Sequence, residues 1–326
     1  MSKNFRFVIL TVVSLFALNA KAAPVAYSVN SDSVTGDSLY LIDLTTGADQ
    51  LRGKLDAGIA FRTDTEGLAF SPAGPDSPSR LWGIDDPSEL LFPINPENGS
   101  IDYREDILLP SFPPGPDDEL IGGSDFGMTF ACDSSLFITS VKSQSLFRRD
   151  SDGNVTTVGS VGSLGVNISA LAAIGNPTKL YGLGNGLFEN GSTDSPSLYN
   201  IDLSTGIASP IGKLSVTDAF KYNEAGLAFD SDGGLWAITD RSQINNQKSQ
   251  ILSINVVTGT ATLVAETLNE VGYESLAISP PTNCVVEAGL DGDELPNIPT
   301  LSLAGRFSAI LVLMLAGMLI LRRRYT

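Results

Sequence analysis

The sequence predicts an all-β fold, a five-bladed β-propeller over residues 24–280 closed by its own last strand. Three observations predict it. A turn glycine recurs at positions 47, 99, 153, 206 and 259, at spacings of 52, 54, 53 and 53 residues. Each interval holds four short apolar segments separated by turn residues, the content of one blade. The first unit lacks a first segment, and the chain supplies an unpaired one at its far end, Glu274 to Ser279. Pairing the two would shut the ring and remove the open edges of the sheets. A β-sandwich or β-helix also uses short strands. A helical solenoid does not fit, because no stretch of the body sustains a 3.6-residue period.

The clearest repeat is Leu39-Tyr40-Leu41-Ile42-Asp43-Leu44-Thr45-Thr46-Gly47, which returns as Leu198-Tyr199-Asn200-Ile201-Asp202-Leu203-Ser204-Thr205-Gly206 with seven of nine positions identical. Its alternating apolar residues predict a strand, and the glycine supplies the positive φ of the turn that follows. Asp43, Asn95, Asp202 and Asn255 stand four residues before their glycines, where a side-chain oxygen can accept from the turn backbone. Arg149 holds that place in the third unit, so that turn is expected to differ. A second motif precedes each turn: Glu66-Gly67-Leu68-Ala69-Phe70 matches Glu224-Ala225-Gly226-Leu227-Ala228-Phe229, with looser copies at Phe126–Phe130, Ile168–Ala172 and Glu274–Ile278. A third recurs as Leu81-Trp82-Gly83-Ile84-Asp85, Leu136–Thr139, Leu180–Leu183, Leu235–Asp240 and, in the first unit, Ala26–Asn30. Trp82, Trp236, Phe70 and Phe229 recur in register and so read as core, not as a ligand platform.

Composition narrows the function classes. The chain has 326 residues, 20 Lys+Arg against 37 Asp+Glu, and no histidine. Residues 1–22 hold three of the basic residues and 303–326 hold four, with no acid in either, so the body carries thirteen against thirty-seven, net −24. Such a surface repels nucleic acid and attracts divalent cations or cationic partners. Without histidine there is no imidazole for a catalytic triad or a zinc site, and Cys132 and Cys284 are too few for a thiolate metal centre.

The two ends read as addresses. Lys3 and Arg6, the apolar run Phe7–Leu18, and Ala20 and Ala22 flanking Lys21 make a secretory signal peptide over 1–22, cut by signal peptidase. At the other end Leu301–Leu321 gives 21 residues, enough for a transmembrane helix, and Arg322, Arg323 and Arg324 place the tail in the cytoplasm. Residues 281–297, with Pro, Asp and Gly, read as a flexible stalk. The segment 298–326 opens with Ile298-Pro299-Thr300-Leu301-Ser302, and Gly305 follows. With the span and the basic tail, this order resembles the IPTL-CTERM sorting signal, a relative of the PEP-CTERM signals of Gram-negative bacteria. The resemblance covers 298–324 and implies recognition by an exosortase-type membrane protease, with export to the cell surface or its polysaccharide layer.

In a propeller the first strand of each blade lines the channel. Glu66, Asp125, Glu224 and Glu274 therefore gather at the channel mouth, joined by Asp85, Asp86 and Asp240 at the ends of second strands. Crowded carboxylates favour a hard cation with oxygen ligands, calcium above all; as solvated strand ends they would instead pair with Arg62, Lys221 or Arg241. Asp150-Ser151-Asp152-Gly153 and Asp230-Ser231-Asp232-Gly233 lack the closing glutamate of a calcium loop and read as hairpin turns. The Glu66–Phe70 segment with Trp82–Asp86 downstream resembles the phytase- and esterase-like propellers. That likeness implies a calcium-dependent hydrolase of phosphoesters or lactones, with Glu66, Glu224 and Glu274 as metal ligands. Repeat-equivalent acids form a ring, not the unlike pair of a glycosidase. The main expectation is therefore a non-catalytic exported propeller that presents its loop face to polysaccharide or protein. The two cysteines, in an oxidising compartment, suggest a disulfide. They lie after the first strand of blade three and just past the closing strand, so they meet only if the stalk folds back.

Overall fold

The computed structural model describes residues 24–284, apart from 31–36, 56–63, 75–76, 87, 102–104, 107–124, 187–195, 218–219, 245 and 271. The signal segment 1–22, the sorting segment 298–326 with its span, and the stalk from 285 onward lie outside the described residues. The chain divides into two compact units, residues 1–285 and 286–326. No helix among the described residues is long and apolar enough to cross a membrane.

Five antiparallel meanders form, each in chain order from the inside out. Blade one has β1 (Val25–Asn30), β2 (Ser38–Asp43) and β3 (Asp49–Lys54); blade two has β4 (Thr65–Phe70), β5 (Leu81–Asp85), β6 (Leu90–Ile94) and β7 (Glu105–Asp106). Blade three has β8 (Phe126–Phe130), β9 (Leu136–Ser140), β10 (Ser145–Arg149) and β11 (Val155–Val158). Blade four has β12 (Ile168–Ile174), β13 (Lys179–Gly184), β14 (Ser197–Ile201) and β15 (Ala208–Lys213). Blade five has β16 (Ala225–Phe229), β17 (Leu235–Thr239), β18 (Gln250–Ile254) and β19 (Ala261–Glu266). The missing inner strand of blade one comes from the chain end, as the repeat predicts: Tyr27 bridges Ala277 and Asn30 bridges Tyr273, both antiparallel.

Apolar burial follows this ring. The inner strands are buried along most of their length, whereas the outer strands β3, β15 and β19 have no fully buried residue. Five separate cores form, one in each seam between neighbouring blades. The recurring aromatics bind the seams. Tyr27 on β1 meets Phe70 on β4 edge to face at 5.8 Å, Trp82 on β5 meets Phe130 on β8 at 6.3 Å, and Tyr181 on β13 meets Phe229 on β16 at 5.6 Å. Their register is one rule: an aromatic on the second strand of a blade rests on the phenylalanine ending the inner strand of the next.

The repeat glycines have two reasons to be glycine. Gly47 and Gly206 have φ near +72° and +73°, and Asp43 and Asp202 accept from the turn amides as expected. In addition, a Cβ on Gly47 would stand 1.9 Å from the Glu266 carbonyl oxygen, and one on Gly206 2.3 Å from that of Val158. These turns lie against the outer strand of the preceding blade. The third turn departs from the pattern as expected. Asp150, not residue 149, accepts from Asp152 and Asn154, and a Cβ on Gly153 would meet nothing closer than Arg149 Nη2 at 3.3 Å.

The end of the propeller differs from expectation. Residues 281–284 do not begin a free stalk. They cross beneath the ring: Gly175 N donates to Thr282 O at 3.0 Å, and Cys284 is bonded to Cys132 with a Cα–Cα distance of 5.2 Å. Pro280 and Pro281 line a cavity of about 30 Å³ with Phe70, Phe130 and Phe229 at that end of the channel. The disulfide the sequence left open therefore forms, by the fold-back it required.

Candidate metal centre at the channel mouth

The start of each inner strand and the end of each second strand meet on one face, because antiparallel pairing forces it. Asp86 N donates to Asp64 O at 2.8 Å, Asn185 N to Asn167 O at 2.9 Å and Asp240 N to Glu224 O at 2.8 Å, one such link each in blades two, four and five. Small residues let the inner strands crowd together there: a Cβ on Gly67 would be 2.7 Å from Met128 Cγ, and one on Gly226 2.3 Å from Leu276 N. At this level the channel encloses about 10 Å³, lined by Glu66, Glu274 and Ser169 among others. That is room for about one water-sized particle.

Three of the predicted carboxylates converge at this end of the channel, and of these Glu66 also lines that space. Glu66, Asp125 and Glu224 each offer an oxygen within 4.8 Å of the others, so one point lies no more than about 2.8 Å from all three. They keep partial access to solvent, whereas Glu274 is 4% exposed. A second group, Asp64, Glu66 and Asp86, shares Glu66. Asp125 holds a left-handed φ of +33°, rare for a residue with a side chain, and Asn185 Nδ2 steadies its carboxylate at 2.9 Å. Asn185 is 2% exposed and its Oδ1 has no hydrogen-bond partner among the described residues; nor has Ser169 Oγ, in the channel lining.

The electrostatics are those of unneutralised acid. Glu66 is held well above the usual carboxylate range, first by burial, then by Glu274, Glu224, Asp125 and Asp86. Burial pushes Glu224 up to about 7, with Asp125 adding and hydrogen bonds with Glu274 and Glu66 opposing. Asp125 rises to about 6 through burial and Asp86, against the hydrogen bond from Asn185. Nearby Asp37 rises to about 7 through burial, opposed by the Thr65 amide at 2.5 Å.

Two predicted ligands do other work. Asp85 accepts from Asp64 N at 2.8 Å and from Ser88 N at 3.2 Å, so it ties the entry of β4 to the turn after β5. Asp240 accepts from Ser242 N at 2.7 Å and Ser242 Oγ at 3.2 Å, although its charge still raises Glu224. Neither joins a converging group among the described residues, and Glu274, although beside Glu66 and Glu224, stands outside those groups as well. Nor does Arg241 neutralise the mouth: it reaches Lys221 O, Gln247 and Glu266. Arg62 lies outside the described residues. Asn185 and Asp64 were not foreseen. The repeat held a signal for the first, because Leu180-Tyr181-Gly182-Leu183-Gly184-Asn185 aligns with Leu81-Trp82-Gly83-Ile84-Asp85-Asp86 and puts Asn185 on Asp86.

Comparison with known proteins yields a likeness of fold. No curated protein matches the chain. Solved structures that align include virginiamycin B lyase from Staphylococcus aureus, 15% identical over 75% of this chain and 70% of that one, with a TM-score of 0.38. A luciferin-regenerating enzyme aligns at 14% over 80% of each chain, TM-score 0.38, and a chain of a nidogen–laminin complex at 8% over 79% and 99%, TM-score 0.46. At these values the likeness carries no inference about activity. Residues 126–275, less than half of the chain, match the model of a family described as a repeat of unknown function, DUF6923.

Proposed function

We propose that the chain is an exported, non-catalytic propeller that holds one divalent cation of the calcium class in its channel mouth and binds a surface ligand with its loop face. The observation that carries this is the convergence of Glu66, Asp125 and Glu224, each of which places a carboxylate oxygen within 4.8 Å of the others, close enough for one ion to touch all three. Asn185, which holds the Asp125 carboxylate through Nδ2, keeps an Oδ1 with no partner among the described residues, a neutral oxygen of the kind that a calcium site of six to eight oxygens uses. Calcium would neutralise the acids and fix the inner strands relative to one another, which is a structural role. Export agrees with the disulfide, since such bonds persist in oxidising compartments. The motif Ile298–Ser302 with Gly305 supports processing by an exosortase-type protease at the membrane, and the signal-like residues 1–22 support cleavage by signal peptidase. Isothermal titration of the purified protein with calcium tests the reading. One site per chain, lost in Glu224→Gln, supports it; no heat and no effect of chelator on melting refute it.

A cation-dependent hydrolase is the second reading. It is favoured by Asp125 and Glu224, whose pKa values near 6 and 7 suit proton transfer at neutral pH. Calcium-dependent turnover of a phosphoester, lactone or glycan, abolished by Glu66→Gln, would replace the first reading with this one.

A further inference from the structure

The strand that closes the ring pairs with β1 through few backbone bonds. Tyr27 N donates to Ala277 O at 2.8 Å, Ala277 N to Tyr27 O at 2.9 Å, and Glu274 N to Val29 O at 3.4 Å. Ser275 adds its hydroxyl, which accepts from Val29 N at 3.1 Å, and its carbonyl, which accepts from the Ser28 hydroxyl. Blades three and five instead join their inner and second strands by an unbroken ladder of five residue pairs. Tyr273 donates its hydroxyl to Asp49 Oδ2 at 2.9 Å and its backbone N–H to Ser249 Oγ at 3.2 Å, and Tyr273, Leu276 and Ala277 are buried. This segment, joined to β1 by few backbone bonds, brings Glu274 beside Glu66 and Glu224. Directly after it comes the strap. Ser279 Oγ donates to Phe229 O in blade five, Thr282 O accepts from Gly175 N in blade four, and Cys284 is bonded to Cys132 in blade three. Both cysteines are half-buried, so a small thiol can reach them.

We propose that the Cys132–Cys284 disulfide is a redox latch: it holds the last strand in the ring, keeps the Glu274 charge beside Glu66 and Glu224, and so gives the cation site its full affinity only in the oxidised chain. The coupling to the cation rests on the proposed function, whereas the latching of the ring does not. In the latching step the two thiols lose two protons and two electrons to a protein disulfide of the exporting compartment. That disulfide leaves as a dithiol while the Cys132–Cys284 bond forms. In a reducing compartment the reverse exchange leaves the closing segment held by noncovalent contacts alone, and free to open and withdraw Glu274.

Hydrogen exchange read by mass spectrometry on the full chain in chelator tests the latch, before and after dithiothreitol and in the Cys132→Ser/Cys284→Ser double variant. Exchange in residues 273–278 and in β1 is expected to accelerate at least tenfold more than in β9 and β13, which report only the global loss of stability. Exchange in 273–278 that is unchanged, or that accelerates no more than in β9 and β13, overturns the proposal. Dithiothreitol acts on protein already folded, so a double variant that fails to fold does not spoil the test. Calcium titration separates the two layers. The reduced protein is expected to bind at least tenfold more weakly, and Glu274→Gln to match that loss with the disulfide and the exchange pattern intact. An open segment with undiminished calcium affinity overturns the coupling. If neither form binds calcium, the cation reading fails and hydrogen exchange alone decides the latch.

Discussion

Replacing Glu66 by glutamine separates a cation site from an ordinary polar cluster, because the two predict opposite signs. Its carboxylate belongs to a group of three with oxygens within 4.8 Å of one another. Two full charges at that separation repel by about 3.5 kcal/mol at an effective dielectric of about 20. Glu66 takes part in two such pairs, and proton uptake relieves much of the repulsion. Its neutralisation therefore stabilises the cation-free protein by about 1–3 kcal/mol at pH 8. At about 2–4 °C per kcal/mol for a domain of this size, melting in chelator rises by about 2–12 °C. Calcium acts the other way. With a dissociation constant of about 10⁻⁴ M, typical of extracellular modules, about 10 mM calcium stabilises the wild type by about 2.7 kcal/mol, and Glu66→Gln loses most of this gain. Differential scanning calorimetry in chelator and in calcium at constant ionic strength reads both effects. A Glu66→Gln protein that melts lower in chelator and keeps the full calcium response refutes the reasoning.

Three further outcomes are expected. In chelator, stability falls as pH rises from about 4 to 8: Asp37 and Glu224 near 7 and Asp125 near 6 keep their protons in the fold after the unfolded chain has lost them. Calcium flattens that slope, and urea titrations at several pH values measure it. Reduction of Cys132–Cys284 removes a cross-link between residues 152 apart, worth about 5 kcal/mol in the chain-entropy account, and lowers melting by about 10–20 °C. Gly206→Ala, whose Cβ meets the Val158 carbonyl oxygen at 2.3 Å, costs about 2–5 kcal/mol in denaturant titrations. Gly165→Ala, with φ +69° and nothing within 4 Å, costs only the about 1–2 kcal/mol of left-handed strain, so the difference measures blade-to-blade contact.

The blades were legible because a propeller writes each unit into the sequence with the same spacing. The turn glycines, the Asp43-type acceptors and the aromatic register all recur, and the missing first strand named its own replacement. The mouth was legible for the same reason, since Glu66, Asp125, Glu224 and Glu274 occupy like positions on inner strands. What repetition cannot show is which way a side chain at a strand end turns. Asp85 and Asp240 each have a serine two or three residues on, Ser88 and Ser242, and a local side-chain bond to the turn competes with a distant site. The strap was hidden by composition: Pro280-Pro281 reads as the beginning of a linker, and only the path of the chain under the ring brings Cys284 to Cys132. The close approach of turn to neighbouring blade, which forbids a Cβ at Gly47 and Gly206, is likewise a contact between units that no single repeat encodes.

The central claim is that the inner ends of the blades share one cation, and a crystal of the oxidised protein grown in calcium tests it most directly through anomalous scattering at long wavelength. The account predicts a single peak in the mouth with oxygens of Glu66, Asp125 and Glu224 at about 2.3–2.6 Å. A mouth without a peak, its acids hydrogen-bonded to one another or met by a lysine or arginine from the loops, would contradict it.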